Sequence, residues 1–273
     1  MKLFDAHCHL PEGSIDSMLE RATAAGVAGM AVCGTSPSDW AQVFQCSEAG
    51  STGGLAVFQG LEVSPQIYLG IGLHPWFVPA DGGINSKEWK DSFQTLEACL
   101  AEDKTEAAML WLGETGLDFS ERFTNRIEQE ECFAAHLDLA RELDRTVTVH
   151  CVQAWGRMVE ILREHPAPNV MLHAYSGSEE LIPELIKLNG WFSFGEAVMN
   201  PKAKRARAAV IAVPADRLLI ETDSDGEPEK LIDVARAVAE LRGVPVEEIA
   251  ELTFNNAQTL FVSAVESFNH GIH

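Results

Sequence analysis

The feature that most constrains the fold is a regular alternation of short apolar segments with longer segments of helical periodicity. Such alternation is typical of a parallel sheet built from βα units. The apolar segments are rich in Val, Ile and Leu, and they span residues 3–9, 27–34, 68–75, 109–116, 146–152, 169–176, 190–197 and 217–223. Eight such segments in 273 residues predict an α/β fold, specifically a (β/α)8 TIM barrel.

The segments between the strands support this architecture. Helices are predicted where Ser, Asn or Asp stands at an N-cap position before a periodic segment, at 14–26, 38–50, 86–103, 125–143 and 178–190. An extra C-terminal helix at about 242–264 is expected to close over the barrel. A doubly wound open sheet is the structural alternative. We expect one domain over 1–265, followed by a tail over 266–273.

Charge and cysteine usage restrict the function classes. The 20 basic and 41 acidic residues give a net charge of −21, which repels polyanions and anionic membranes. A nucleic-acid substrate would need metal ions or a local basic patch to overcome that field. The six cysteines are scattered without regular spacing, which favours reduced thiols and a cytoplasmic location. No leader pattern and no long apolar run stands in the sequence, so neither secretion nor membrane insertion is expected.

The first predicted strand carries two histidines at alternate positions. In an extended strand His7 and His9 point to one side and Cys8 to the other. Two neutral imidazoles on one side make half of a divalent-metal site, and Asp5 on the same side could orient a ring or join the ligands. The segment alone equally fits a surface strand that happens to carry two histidines.

Five of the nine histidines stand at or near predicted strand ends. Two carboxylates, Glu114 and Asp223, share this position. In a (β/α)8 barrel the C-terminal ends of the strands form the rim where active sites lie. A single histidine is more often a satisfied polar residue, but the common position favours a metal centre. The set is rich enough for two divalent ions, and it consists of His7, His9, Glu114, His150, His173 and Asp223.

Seven ordered motifs carry a resemblance that runs from about residue 3 to residue 261. They are FDAHCHL (4–10), GLHPW (72–76), GETGLDF (113–119), VTVHC (147–151), MLHAYSG (171–177), LIETDS (219–224) and FNNAQTLF (254–261). In this order they resemble the motifs of the TatD-like deoxyribonuclease family, which are metal-dependent hydrolases of the amidohydrolase superfamily.

The resemblance implies a role for each matching residue. His7, His9 and Asp223 are expected to hold one divalent ion, and Glu114 to bridge to a second ion held by His150 and His173. The ions would be Mg, Mn or Zn. A cation lowers the pKa of bound water from about 16 towards roughly 7, which provides hydroxide at neutral pH. Asp223 is similar to the aspartate that orients or deprotonates this water.

Substrate contacts are also implied. Glu221 and His74 resemble residues that line a phosphate pocket, so Glu221 joins Glu114 and Asp223 in the expected catalytic set. Trp76 is a second candidate substrate residue because it could stack on a base or sugar, and a buried rim tryptophan is the alternative interpretation.

Three positions depart from the commonest family pattern. Trp76 stands where a second histidine is frequent, no arginine follows His150, and Asp225 stands where proline is usual. The first two changes remove polar or cationic groups from the expected substrate side. Metal-dependent hydrolysis is therefore better supported than DNA as the substrate. The basic run KAKRAR (202–207) could touch a nucleic-acid backbone, but a solvated helix face explains it more simply.

The sequence therefore predicts a divalent-metal-dependent hydrolase, foremost a phosphodiesterase or deoxyribonuclease acting on DNA ends, single strands or small phosphodiesters. A hydrolase of a small amide, lactone or aminoacyl ester on the same barrel is the alternative. A noncatalytic binding protein is opposed by the intact ligand set. A PHP-type phosphoesterase also begins with HxH, but it would need further metal-binding histidines. The oligomeric state is open.

Overall fold

The computed structural model describes residues 1–48, 65–81, 83–102 and 110–261. Eight strands lie within this part of the chain, and each coincides with a predicted apolar segment. Their bounds are β1 Leu3–Cys8, β2 Val27–Gly34, β3 Gln66–Ile71, β4 Trp111–Asp118, β5 Thr146–Val152, β6 Asn169–Leu172, β7 Gly190–Phe194 and β8 Leu218–Ile220.

The strands form one parallel sheet in chain order from β1 to β8. The two outer strands meet at their C-terminal ends, where the Asp223 N–H donates to the His7 carbonyl and the His9 N–H donates to the Ser224 carbonyl, each at 3.0 Å. A doubly wound sheet reverses its strand order at a switch point, and no such reversal occurs here. The predicted (β/α)8 barrel is confirmed and the open-sheet alternative is excluded.

Helices follow the strands around the barrel. Their bounds in the described residues are α1 Ile15–Ala24, α2 Pro37–Glu48, α3 Lys87–Glu102, α4 Arg126–Leu143, α5 Trp155–Glu164, α6 Ile182–Lys187, α7 Lys204–Ala212, α8 Leu231–Arg242 and α9 Val246–Phe261. All five predicted helices are present. The helix predicted to begin at residue 178 starts only at Ile182, after a 3₁₀ turn at Glu179–Leu181, with Pro183 in its first turn.

The extra C-terminal helix closes the barrel at the end opposite the histidines. Phe261 of α9 packs against side chains from the start of three strands, with ring centroids 5.7 Å from Phe4, 6.2 Å from Tyr68 and 4.8 Å from Trp111. The amide of Asn256 donates to the carbonyls of Ala215 and Leu218 at 2.7 and 2.8 Å. The C-terminal ends of the strands are thus left as the accessible mouth.

Close approach of β4 to β5 explains one glycine of the GETGLDF segment. Gly116 has φ +141°, and a Cβ atom there would lie 2.1 Å from the carbonyl oxygen of His150. Only glycine fits this backbone conformation and this separation. The contact brings the β4 segment that carries Glu114 alongside His150 on β5.

Residues 262–273, including the expected domain boundary at 265, lie outside the described residues, so the division into a domain and a tail stays a prediction. Among the described residues no helix combines the length and the apolar character needed to cross a bilayer. Among the described side chains, Cys33, Cys132 and Cys151 are free thiols.

Candidate metal centre

The two histidines of the first strand point into the mouth of the barrel. His7 is fully buried, and the ring centroids of His7 and His9 are 4.9 Å apart. The Nδ1–H of His9 donates to the carbonyl of Cys33 at 2.9 Å. Since a carbonyl only accepts, this bond orients the ring so that its Nε2 atom faces Glu114 and Asp223.

Glu114, in the middle of β4, stands between two groups of histidines. Its Oε2 atom lies 3.3 Å from Nε2 of His7 and 3.4 Å from Nε2 of His9. Its Oε1 atom lies 2.9 Å from Nδ1 of His150 and 2.8 Å from Nε2 of His173. The carboxylate is nearly fully buried. Each carboxylate oxygen therefore faces its own pair of imidazole nitrogens.

Asp223 completes the first group from the other side of the barrel. Its Oδ1 atom lies 3.5 Å from Nε2 of His7 and 3.7 Å from Nε2 of His9. β8 ends at Ile220, earlier than predicted, and Asp223 has a left-handed backbone conformation with φ +49°. Aspartate tolerates this conformation better than most residues. All six expected ligands are thus brought together at one mouth.

The donor set fits divalent cations. Both ring nitrogens of His7 are buried and lack a hydrogen-bond partner among the described residues, and so does Nε2 of His150. Buried polar atoms without partners are costly, and a cation between His7, His9 and the two carboxylates would satisfy Nε2 of His7. Imidazole nitrogens and carboxylate oxygens suit Zn, Mn, Fe, Ni or Mg.

The protonation states of three ligands also suit cation binding. Burial opposes ionisation of Glu114, but the positive charge on His173 and the hydrogen bonds to the histidines hold its pKa well below the usual range. Burial likewise opposes ionisation of Asp223, but the hydrogen bond from His9 and the nearby imidazoles lower its pKa to about 2. Burial lowers the pKa of His7 and so keeps its ring neutral.

Asp5 does not join this centre, so the expectation that it orients a histidine ring or binds metal is wrong. Its Oδ1 atom accepts from the Thr222 N–H at 2.9 Å and its Oδ2 atom accepts from the Thr222 hydroxyl at 2.7 Å. The carboxylate instead ties β1 to the loop after β8. Strand alternation alone could not show this, because the pairing of β1 is irregular between Asp5 and Cys8.

His74 lies against the second group of ligands. Its Nε2 atom is 3.1 Å from Oε1 of Glu114, and its Nδ1 atom accepts from the Trp76 N–H at 3.1 Å. Burial lowers the pKa of His74, so the ring is neutral. With Nδ1 accepting, the proton of a neutral ring resides on Nε2. His74 therefore presents a hydrogen-bond donor to the centre.

Glu221 lies behind the ligands and does not line the cavity. Its Oε1 atom accepts from the Ala174 N–H at 2.6 Å and lies 3.6 Å from Nδ1 of His173. The side chain is fully buried. The arrangement can orient the His173 ring so that its Nε2 faces Glu114.

Sequence reasoning missed Asp118, the last residue of β4. Its carboxylate accepts from the Trp76 indole N–H at 2.8 Å and from the Ser120 N–H at 2.9 Å, and it lies 3.9 Å from Nε2 of His150. Burial opposes ionisation, but the bonds from Ser120 and Trp76 lower the pKa of Asp118. A signal was available, because Asp118 is separated from Glu114 by an even number of strand positions.

A cavity of about 460 Å³ opens beside the centre, lined by ligands on one side and by Thr35, Asp39, Gln42 and Asp225 among others. Trp76 stands at its rim with 47% of its surface exposed, so the interpretation of a buried rim tryptophan is wrong. No Lys or Arg lines the described cavity.

In the basic run at 202–207, Arg207 donates to the Val198 carbonyl, while Lys204 and Arg205 are exposed.

Comparisons with known proteins agree with this geometry. The family model of TatD related DNase matches residues 4–262. The metal-dependent hydrolase YabD of Bacillus subtilis, described as uncharacterized, is 32% identical, with 95% of this chain and 98% of YabD covered. A 3'-5' ssDNA/RNA exonuclease TatD of Edwardsiella piscicida is 26% identical, with 91% and 94% covered. The solved structure of YJJV, a TatD homologue from Escherichia coli, has a TM-score of 0.78 at 28% identity and covers 95% of this chain and 97% of its own.

Proposed function

The chain belongs to the TatD-related DNase family of metal-dependent hydrolases, and from this premise we propose that it cleaves phosphodiester bonds in single-stranded DNA or at DNA ends. One observation carries the proposal. Glu114 divides the histidines into two groups, each facing one oxygen of its carboxylate. Such a bridge suits two cations that together hold a phosphoryl group.

We propose two bound divalent ions, Mg, Mn or Zn. The first would be held by His7, His9, Glu114 and Asp223, and the second by Glu114, His150 and His173. Bound there, the ions would lower the pKa of water and neutralise charge on the phosphoryl oxygens. The chain's own task is to orient the ligands, and Glu221 does this for His173 in the proposal.

Three residues act on the substrate side of the proposal. Asp223 is ionised and its side chain is 41% exposed, so its carboxylate can accept a proton from a water in the cavity. The Nε2–H of His74 donates a hydrogen bond to a phosphoryl oxygen, since its tautomer is held by the Trp76 N–H. Trp76 offers the exposed face of its ring to a base or sugar.

The charge distribution favours short or single-stranded substrates. The net charge of −21 repels a long polyanion, and no basic side chain lines the described cavity. Two cations would supply positive charge only at the scissile phosphate. Few phosphates can then be neutralised at once, which opposes tracking along duplex DNA.

The acidic side chains that line the cavity favour a second candidate function. Asp39 and Asp225 line the cavity together with the ligand Asp223. Carboxylates attract ammonium groups, which suits an aminoacyl ester carrying a free amine. Hydrolysis of such a small ester, amide or lactone is the alternative activity of the same centre.

The proposal is tested with protein loaded with Mg²⁺, Mn²⁺ or Zn²⁺ and offered single-stranded DNA, duplex DNA, aminoacyl esters and lactones. We expect nucleotides to be released from single strands, and Glu114→Gln and Asp223→Asn to abolish the release. Glu20→Gln, on the exposed face of α1, is the matched control and should leave activity unchanged. Cleavage of esters with DNA left intact would replace the first proposal by the second.

We also propose a cytoplasmic location. The support is chemical, since Cys33, Cys132 and Cys151 are free thiols and all three are buried. Free thiols persist in a reducing compartment. Fractionation of cells that express the tagged chain tests this location, and recovery in a secreted fraction would contradict it.

A further inference from the structure

A compact group of three side chains is built around Trp76, which lines the cavity, and none of the three is a ligand of the proposed metal centre. The rings of Trp76 and Phe123 stack with centroids 6.1 Å apart at an interplanar angle of 22°. The Arg122 guanidinium lies 4.9 Å from the Trp76 centroid and 5.5 Å from the Phe123 centroid. We call Trp76, Phe123 and Arg122 the aromatic shelf.

We propose that the aromatic shelf binds an unpaired nucleobase of the nucleotide next to the scissile phosphate, with Arg122 contacting a neighbouring phosphate. The inference rests on the proposed phosphodiesterase function and specifies its substrate as a strand with an unpaired, unstacked base at this position. Base–aromatic stacking accepts every base because every base has a π-face. The subsite therefore selects for single strands and not for sequence.

The indole of Trp76 is exposed and yet held in a fixed orientation. Its Nε1–H donates to Asp118 and its backbone N–H donates to His74. The edge of the His74 ring also contacts it, with centroids 5.0 Å apart at 85°. A side chain held in this way loses little conformational entropy when a ligand binds its face. Its preorganisation distinguishes it from exposed apolar residues that have no partner.

The shelf lies beside the hydrolytic centre. His74 touches both, since its ring contacts Trp76 and its Nε2 atom lies 3.1 Å from Glu114. Asp118 also joins the two, because it bonds the indole and lies 3.9 Å from His150. Only one side chain therefore separates the stacking face from the ligands. The distance between the base and the phosphate of one nucleotide is similar to this distance between the Trp76 ring and the ligands.

Arg122 supplies the charge complementarity. Six other arginines of the described residues form ion pairs with acids, as Arg21 does with Glu229 and Arg163 does with Glu184. No carboxylate of the described residues forms an ion pair with Arg122, although the chain has 41 acidic residues. An exposed cation–π contact is weaker than stacking of a base on an indole. A base can therefore take the ring face while the exposed guanidinium turns to a phosphate.

Binding is tested on metal-loaded protein by titration with deoxyadenosine monophosphate, followed by tryptophan fluorescence. Of the five other tryptophans, Trp40, Trp89, Trp111 and Trp191 are buried and Trp155 is half-buried, so the comparison with Trp76→Phe assigns the quenching to Trp76. We expect saturable quenching that is lost in Trp76→Phe and weakened in Arg122→Ala. Deoxyribose 5-phosphate, which lacks a base, should produce none. Equal quenching in Trp76→Phe, or equal affinity for the sugar phosphate, would overturn the proposal.

A kinetic cycle tests the same contact without relying on one variant. An abasic site next to the scissile bond should lower kcat/KM of the unaltered protein by about tenfold, the range expected for loss of one stacked base. In Trp76→Ala the intact and abasic strands should be cleaved equally. Ile211 is an exposed residue of α7, far along the chain from the aromatic shelf, and Ile211→Ala should keep the tenfold ratio of kcat/KM between the intact and the abasic strand.

The outcomes separate this inference from the function on which it rests. If the protein cleaves DNA and Trp76→Ala keeps the ratio of kcat/KM between intact and abasic strands, the proposed role of the aromatic shelf is overturned and the proposed phosphodiesterase function stands. Failure to cleave DNA, with quenching specific for the nucleotide and dependent on Trp76, would overturn the phosphodiesterase and retain a nucleobase site. Stronger quenching by an aromatic aminoacyl ester than by the nucleotide would assign the shelf to that ester and overturn the nucleobase proposal.

Discussion

At the scale of single residues, the proton on His74 decides whether this ring binds a cation or a substrate. The Trp76 N–H occupies Nδ1, which leaves the Nε2–H directed at Glu114. A protonated nitrogen has no lone pair for a metal. His150 lies about equally close to Glu114, but its other ring nitrogen, Nε2, has no hydrogen-bond partner among the described residues, so no bond holds the proton on the nitrogen that faces Glu114.

We predict that His74→Ala raises KM for the substrate and leaves the metal content unchanged, whereas His150→Ala lowers the metal content. The physical reason is the donor role of Nε2 in His74. Elemental analysis and steady-state kinetics measure the two quantities. His74→Gln, which keeps an N–H donor, should recover part of KM. Equal loss of metal from the two alanine variants would assign His74 to the metal ligands.

A second buried histidine, outside the mouth, governs stability at acidic pH. His136 of α4 accepts from the Leu73 N–H at 3.2 Å and contacts the Cys132 carbonyl. Burial lowers the pKa of His136 to about 4, only partly offset by the bond to Cys132. Below the unfolded pKa of about 6.5, the unfolded chain binds a proton that the folded chain excludes.

Stability should accordingly fall as the pH decreases from about 6.5 to about 4, by about 3 kcal/mol from this group alone. Urea denaturation across this window measures the free energy of unfolding. His136→Gln retains an acceptor for Leu73 and lacks the titration, so its curve should be flatter than that of the unaltered chain. Parallel curves for the two proteins would contradict the assignment.

At the scale of elements, α9 contributes to the stability of the barrel but lies away from the candidate metal centre. It seals the N-terminal end of the barrel through Phe261, while the ligands occupy the opposite end. Phe261→Ala should lower the free energy of unfolding by about 3 kcal/mol, the cost of a large cavity in an apolar layer. Metal content and kcat should be retained. Denaturation and kinetics test both statements, with exposed Ile211→Ala as the control expected to change neither. Loss of metal in Phe261→Ala would contradict the separation.

The strands were predictable because buried parallel strands are nearly continuous apolar runs, and the ligands were predictable because they follow those runs. The loops were not. His173 and Asp223 lie beyond the ends of β6 and β8, and the left-handed turn at Asp223 depends on tertiary contacts. Burial of Glu221 was likewise missed, because sequence patterns do not report which side of a loop faces the cavity.

At the scale of the whole molecule, the acidic surface sets how substrate reaches the mouth. Basic nucleic-acid-binding proteins lose affinity steeply as salt rises, because bound phosphates displace counterions. Here the net charge of −21 repels the substrate, and salt screens that repulsion. We predict that kcat/KM for a short oligonucleotide stays level or rises with added NaCl at constant divalent metal. An uncharged ester substrate serves as the control. A steep decrease for the oligonucleotide alone would indicate a basic surface in the complex.

The central claim is that Glu114 bridges two cations at the mouth of the barrel. Anomalous diffraction from crystals saturated with Mn²⁺ or Zn²⁺ tests it most directly. We predict two peaks about 3.5–4 Å apart, one on each side of the Glu114 carboxylate. The first should contact His7, His9 and Asp223, and the second should contact His150 and His173. Fewer than two peaks at Glu114 under saturating metal would contradict the account.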